Sequence, residues 1–364
     1  MRKAGIMIFA LLICLLIAGC GNDSSQVSGP VTKAWDTDNA TLTITPLEGS
    51  VPMQWMCKLR ASVTLSSGYT EDISEYARWE SSDKYIATVG NEEKNKGVVT
   101  GVSPGSVTIT ARYYRFSTTT PVTVSHDNPK SLGDSAKVVF LHHGVGASVW
   151  AGGVPEWFAE YNIRNGKDYS ITELEFPKNA PYGWNNNPYD YWNIWVNHAG
   201  AQSFREEPTL ENLTRNYNVV IWKHSYTVSS ILPDAGNAGN RPYEKTMLNY
   251  KLEYRALKSH MRSFPRTRFI VWTGPAIVQG AAPEEQAMLA REFFEWVKNE
   301  WDEPGDNIYL WDFFELQTEG GNYLKSEYSA GPLDSNLNPD FSKRVAPDFC
   351  RRVVDVIEGR GDAD

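Results

Sequence analysis

The sequence predicts a multidomain chain: an all-β sandwich followed by a three-layer α/β/α domain on a five-stranded parallel sheet. Three observations carry this. Between residues 41 and 125, short alternating runs are split by turn residues, the pattern of an all-β domain. From Ala136 onward, short unbroken apolar runs alternate with helix-like stretches, the order of βαβ units. At 364 residues the chain has length enough for two domains and a sizeable core.

The chain opens on a targeting segment. Arg2 and Lys3 give a positive start, and Ile6 to Ile17 form an apolar run of signal-peptide length. The run ends Leu16-Ile17-Ala18-Gly19-Cys20. This ending resembles the lipobox of bacterial lipoproteins, in which the Cys becomes the lipidated first residue. The resemblance implies a lipoprotein signal peptide over 1–20 and a membrane anchor at Cys20. It also implies a place in the bacterial cell envelope, on the outer membrane or cell surface, facing periplasm or exterior. Gly21, not Asp, follows the Cys, so nothing there argues for inner-membrane retention. Residues 21–37 are rich in small and polar side chains and read as a flexible tether. No later stretch is apolar enough to span a bilayer.

Composition narrows the partners. The net charge is −9, which argues against nucleic acid, since phosphate binding needs a clustered basic surface. Of the 4 Cys, Cys14 lies in the signal and Cys20 at its end, so only Cys57 and Cys350 remain. They fall in different predicted domains and read as single buried thiols. No Cys or His spacing suits a metal, and no cofactor is implied.

The all-β domain is expected over 38–126. Its runs include Leu42–Thr45, Leu59–Leu65, Ala77–Trp79, Ile86–Val89, Gly97–Val102, Ser106–Ala111 and Pro121–Val124. Ser66-Ser67-Gly68 and Ser103-Pro104-Gly105 supply turns. The segments ITP, RWESSDKYIATV and GVVTGVSPGSVTITA resemble the group 2 bacterial immunoglobulin-like domain. That resemblance implies a sandwich with Trp79 in its core, serving as a spacer or an adhesive module. Residues 127–135, with Asn128-Pro129 and Gly133, read as the linker.

The second domain is expected over 136–359. Strands are read at Val138–Leu141, Ser170–Phe176, Asn218–Trp222, Phe269–Trp272 and Ile308–Trp311. Helices are read at Val149–Tyr161, Tyr243–Arg262, Pro283–Trp301 and Phe341–Ile357. Pro177–Leu213 is long and irregular, and insertions of that size tend to be functional. Open α/β sheets bind ligands at the carboxyl ends of their strands, which directs attention to His142-His143-Gly144 after the first strand.

This domain resembles the SGNH (GDSL-like) hydrolase family, throughout in topology and locally in motif. The resemblance implies a Ser nucleophile just after the first strand. It implies a Gly after the second strand and an Asn after the third as oxyanion donors, and an Asp and a His before the last helix. In such a triad the His takes the Ser proton, the Asp orients the His, and donors hold the developing oxyanion. Matched residue by residue, Gly144 stands at the nucleophile and Asn336 at the His, in Asp334-Ser335-Asn336-Leu337-Asn338-Pro339. Glycine cannot be acylated and an amide is no general base near neutral pH. Gly183, in Pro181-Tyr182-Gly183-Trp184, matches the second block. Lys223-His224-Ser225-Tyr226 fills the third block without the Asn. Asp334 alone keeps its identity.

The catalytic candidates are therefore Asp334, His143, His224 and Ser225, with Gly144 and Asn336 at the family's Ser and His positions. His142, Gly183, Trp184, Lys223 and Asn338 are the substrate-binding candidates. Ser148, four residues past Gly144, reads as an early helix residue. The aromatic run Tyr182, Trp184, Tyr189, Tyr191, Trp192, Trp195 reads either as loop packing or as a platform for sugar rings. Three readings follow. One is an envelope lipoprotein with a catalytically degenerate SGNH-like head that binds or acts on acylated carbohydrate. Another is an active carbohydrate esterase with a rebuilt site. The last is an adhesin working through its immunoglobulin-like domain.

Overall fold

The computed structural model describes residues 40–362 apart from 46, 48–49, 54, 94, 126–130 and 235–240. The expected signal peptide, Cys20, the tether and residues 127–130 of the linker lie outside the described residues.

The first domain carries ten strands: β1 Thr41–Thr45, β2 Val51–Pro52, β3 Met56–Lys58, β4 Arg60–Thr64, β5 Thr70–Asp72, β6 Arg78–Ser81, β7 Ala87–Val89, β8 Val98–Gly101, β9 Gly105–Tyr113 and β10 Phe116–Ser125. They pair as β1-β4-β5, β2-β10-β9-β6 and β3-β8-β7. Alternating residues of β9 and β10 point inward, as a half-buried strand requires. Trp79 is buried in this core and donates its indole N–H to Ser74 O at 3.1 Å.

The second domain is the expected parallel sheet. Its strands are β11 Ser135–His142, β12 Asp168–Glu175, β13 Val219–Trp222, β14 Arg268–Trp272 and β15 Ile308–Trp311. They lie in the order β12-β11-β13-β14-β15, every pair parallel. The interior strands β13 and β14 are buried at every residue, which explains their unbroken apolar runs. The helices are α1 Val145–Trp150, α2 Val154–Asn165, α3 Pro188–Trp192, α4 Leu210–Asn216, α5 Met247–Met261, α6 Glu284–Trp296, α7 Phe313–Thr318 and α8 Pro339–Ile357. α1, α2 and α8 pack together, and α3, α5 and α6 form a second group, giving a helical layer on each face. A hairpin, β16 Ser329–Gly331 and β17 Asp334–Leu337, precedes α8.

The helix expected at Val149–Tyr161 is two helices. α1 begins directly after Gly144, and the chain breaks at Gly152-Gly153 before α2. A Cβ at Gly152 would meet Ser342 O at 2.4 Å, so close approach of α8 demands glycine there.

The first domain docks at the end of the sheet opposite the strand carboxyl ends. Met56 N of edge strand β3 donates to Gly305 O at 3.2 Å, and Lys58 N to Arg262 O at 3.0 Å. Gly305 and Arg262 precede β15 and β14. The outward amides of an edge strand are thereby satisfied.

Candidate functional site

Block one is the β11 carboxyl end and the turn into α1. Gly144 caps α1 at φ 47°, ψ −102°, a backbone state that favours glycine. A Cβ built on it would stand 3.2 Å from Asn336 Oδ1. Asn336 in turn donates Nδ2–H to Asp334 Oδ1 at 2.9 Å, and its backbone N–H to the same oxygen at 2.9 Å. The fold therefore brings Gly144, Asn336 and Asp334 into sequential contact across 190 residues. No carboxamide can take a proton, and Gly144 has none to give.

The two histidines before Gly144 are committed elsewhere. His142 is buried and its pKa is pushed down to about 3, by burial first and then by Lys223. The neutral ring faces Glu173 Oε2 from Nε2 at 2.9 Å, which makes Nε2 the donor, while Nδ1 is buried without a partner. A Cβ at Gly146 would meet His142 Cβ at 2.3 Å, so the α1 backbone sits directly on this side chain. His143 places Nε2 at 2.9 Å from Pro177 O and 3.2 Å from Glu175 Oε1. At the strand ends, among the described residues, no serine hydroxyl hydrogen-bonds a histidine ring.

Several sequence candidates are placed differently from expectation. His224 is wholly buried, with its ring centroid 4.5 Å from Tyr191, 5.3 Å from Trp222 and 5.7 Å from Tyr254. Burial holds its pKa well below the ordinary value, so it is a core residue and no accessible base. Gly183 spends its amide on Asn179 O at 2.6 Å and is not a free donor. Trp184 is buried under Phe204 and the Arg205 guanidinium, the latter 5.6 Å from its ring, and offers no open platform. Tyr191 and Trp195 belong to the core, so the aromatic run is chiefly packing; Tyr182 is its exposed member. Ser225 is half-buried at the start of the turn 226–229, and its N–H donates to Asn186 O at 3.2 Å. Ser148 lies inside α1, with Gly144 rather than itself as the cap.

Asn338, expected to contact substrate, is instead the N-cap of α8. Its Oδ1 accepts from Phe341 N at 2.8 Å and its Nδ2 donates to Glu327 O at 2.7 Å. Asn338→Ala should cost about 1 kcal/mol of stability, the usual worth of a cap, and leave ligand affinity unchanged. Denaturant unfolding and a binding titration of the same variant check both halves.

Lys223 is the most unusual group here. It is fully buried at the β13 carboxyl end, and its Nζ donates to His143 O at 2.9 Å, directly beneath the Gly144 turn. Burial lowers its pKa to about 7. The unfolded state then holds the extra proton between about pH 7 and 10.5, so wild-type stability gains with pH across that window. The stability difference between wild type and Lys223→Met should accordingly move in favour of wild type from pH 7 to pH 10, measured by urea denaturation at each pH. A flat difference would show that Lys223 keeps its charge.

The segment after β12 is held in place by residues whose structural roles the sequence reading did not assign. Asn187 and Asp190 form a capping box on α3, with Pro188 at its first position. Asn186, at φ 60°, donates Nδ2–H to Phe176 O at 3.0 Å, and Tyr191 Oη donates to Lys223 O at 2.5 Å. The Asn-Pro-x-Asp spacing was the available signal.

Comparison with known proteins agrees with the first domain. Residues 40–125 match the family described as bacterial Ig-like domain (group 2). Ice-binding protein 1 of Shewanella frigidimarina is 31% identical over 110 residues, 30% of this chain; the chain spans only 12% of that relative. Among solved structures, a carbohydrate acetylesterase from Xanthomonas citri overlaps 88% of this chain and 70% of its own, at 11% identity and a TM-score of 0.33. A peptidoglycan O-acetylesterase structure overlaps 90% of this chain and 80% of its own, at 9% identity and a TM-score of 0.32. Residues 40–125 thus match the group 2 bacterial immunoglobulin-like domain, and the domain that follows them is an α/β/α unit on a five-stranded parallel sheet.

Proposed function

We propose that this protein is a lipid-anchored component of the bacterial cell envelope whose SGNH-like head binds acylated carbohydrate without hydrolysing it. The observation that carries this reading is the Gly144–Asn336–Asp334 contact. It supports an alignment in which the nucleophile and the base are both absent while their geometry persists. Loss of either alone disables acyl transfer, because each depends on the other. Asp334, exposed, and Asn336 and Ser225, half-buried, are the groups that would hold an ester-bearing sugar by hydrogen bonds.

The immunoglobulin-like domain serves as a spacer between the anchor and the head. Its docking at the amino ends of β14 and β15 supports this, since the site lies at the carboxyl ends and faces away. The rival reading, an active esterase with a rebuilt site, needs His143 beside Ser225 or Ser148. The commitment of His143 Nε2 to Pro177 O and Glu175 weighs against it. Acetylated xylo-oligosaccharides titrated into the protein, with released acetate followed in the same sample, test the proposal. Binding without release is the expected result, and release that Ser225→Ala or Ser148→Ala abolishes would establish the rival.

A further inference from the structure

A groove of about 600 Å³ lies beside the candidate site, between the segment following β14, the loop 321–327 and the β16–β17 hairpin. Its lining includes Gln279, Asn322, Tyr323, Lys325 and Glu327. The hairpin is the wall that it shares with the Gly144 site. Successive residues of a strand point to opposite sides. Ser335 accepts the Val278 N–H at 3.1 Å on its Oγ, on the groove side, while Asn336 is turned toward Gly144. At the hairpin tip Leu333 is 74% exposed, and a Cβ at Gly280 would be 3.6 Å from its Cδ2. The hairpin tip is thus apolar and exposed, packed against the segment that follows β14.

We infer that this groove is a second glycan subsite, taking a neutral pyranose unit of the same chain whose acylated unit sits at Gly144. The inference rests on the proposed function and names where the polysaccharide continues. The lining chemistry is that of sugar recognition. Two side-chain amides and the two charged heads supply both donors and acceptors for hydroxyl groups. Tyr323, half-buried, with its Oη donating to Ala282 O at 3.4 Å, adds a ring fixed in place. The charges are of both signs, Lys325 and Glu327, which suits a neutral unit better than an acidic one. The groove is open and its lining mixes polar and apolar surface, unlike a closed apolar pocket for a lipid tail.

The test uses the full protein and partially O-acetylated xylobiose and xylohexaose as probes, titrated calorimetrically. The hexaose should bind about tenfold tighter than the biose, an increment of about 1.4 kcal/mol. Tyr323→Ala and, independently, the exposed Gln279→Ala with Asn322→Ala should remove that length advantage while leaving biose affinity intact. Equal wild-type affinity for the two probes, or a length advantage that survives both variants, would overturn the subsite and leave the proposed function standing. Failure of wild type to bind either probe would overturn both.

Discussion

The Gly144→Ser, Asn336→His double variant should hydrolyse 4-nitrophenyl acetate about a hundredfold faster than wild type, with each single variant close to background. A positioned base contributes about 10²- to 10⁴-fold, and only when a nucleophile is within its reach. Gly144 and Asn336 already face each other, since a Cβ at 144 would be 3.2 Å from Asn336 Oδ1. A serine oxygen one bond further on therefore falls within reach of an imidazole at 336. Asp334 already accepts a hydrogen bond from the 336 side chain at 2.9 Å and would orient the new ring. The opposing term is strain. Serine at φ 47°, ψ −102° costs roughly 1–3 kcal/mol, enough to absorb about one or two of those orders of magnitude. The gain must be more than multiplicative over the two single changes, because neither residue works without the other. Initial rates for the four proteins decide it. Additive singles would mean that 144 and 336 are not partners.

Cys20→Ala should release the protein wholly from membranes. The expectation follows from Ala18-Gly19-Cys20 at the end of a short apolar run. Among the described residues, no helix is long and apolar enough to cross a bilayer, so no described helix would replace the lost anchor. Fractionation of cells expressing wild type and variant checks this. Variant protein that still partitions entirely with membranes would place the anchor elsewhere.

The parallel strands were legible in the sequence because an interior strand buried on both faces must be apolar throughout. Val138–Leu141 falls inside β11, and Phe269–Trp272 falls inside β14. The break between α1 and α2 was not legible in the same way. It follows from the approach of Ser342 in α8, nearly 200 positions away, and no local pattern reports that contact. His224 shows the same limit from the other side. A histidine just past a buried strand reads as a site residue, yet Tyr191, Trp222 and Tyr254 enclose it in the core. The approach of Gly144 to Asn336 likewise has no local signal in the sequence; only the resemblance to the SGNH pattern set the two side by side as an expectation. The groove beside the hairpin draws on residues from Val278 to Pro332, spread over connections whose sequence carries no periodic signal.

The most direct test of a head that binds but does not hydrolyse is a single sample of wild-type protein with O-acetylated xylohexaose, followed by NMR. Ligand line-broadening reports binding, and the free acetate resonance reports turnover. Saturable broadening, with acetate accumulating no faster than in buffer, is the predicted result. Acetate release at about 1 s⁻¹ or more, within the ordinary range of enzymes, would contradict it.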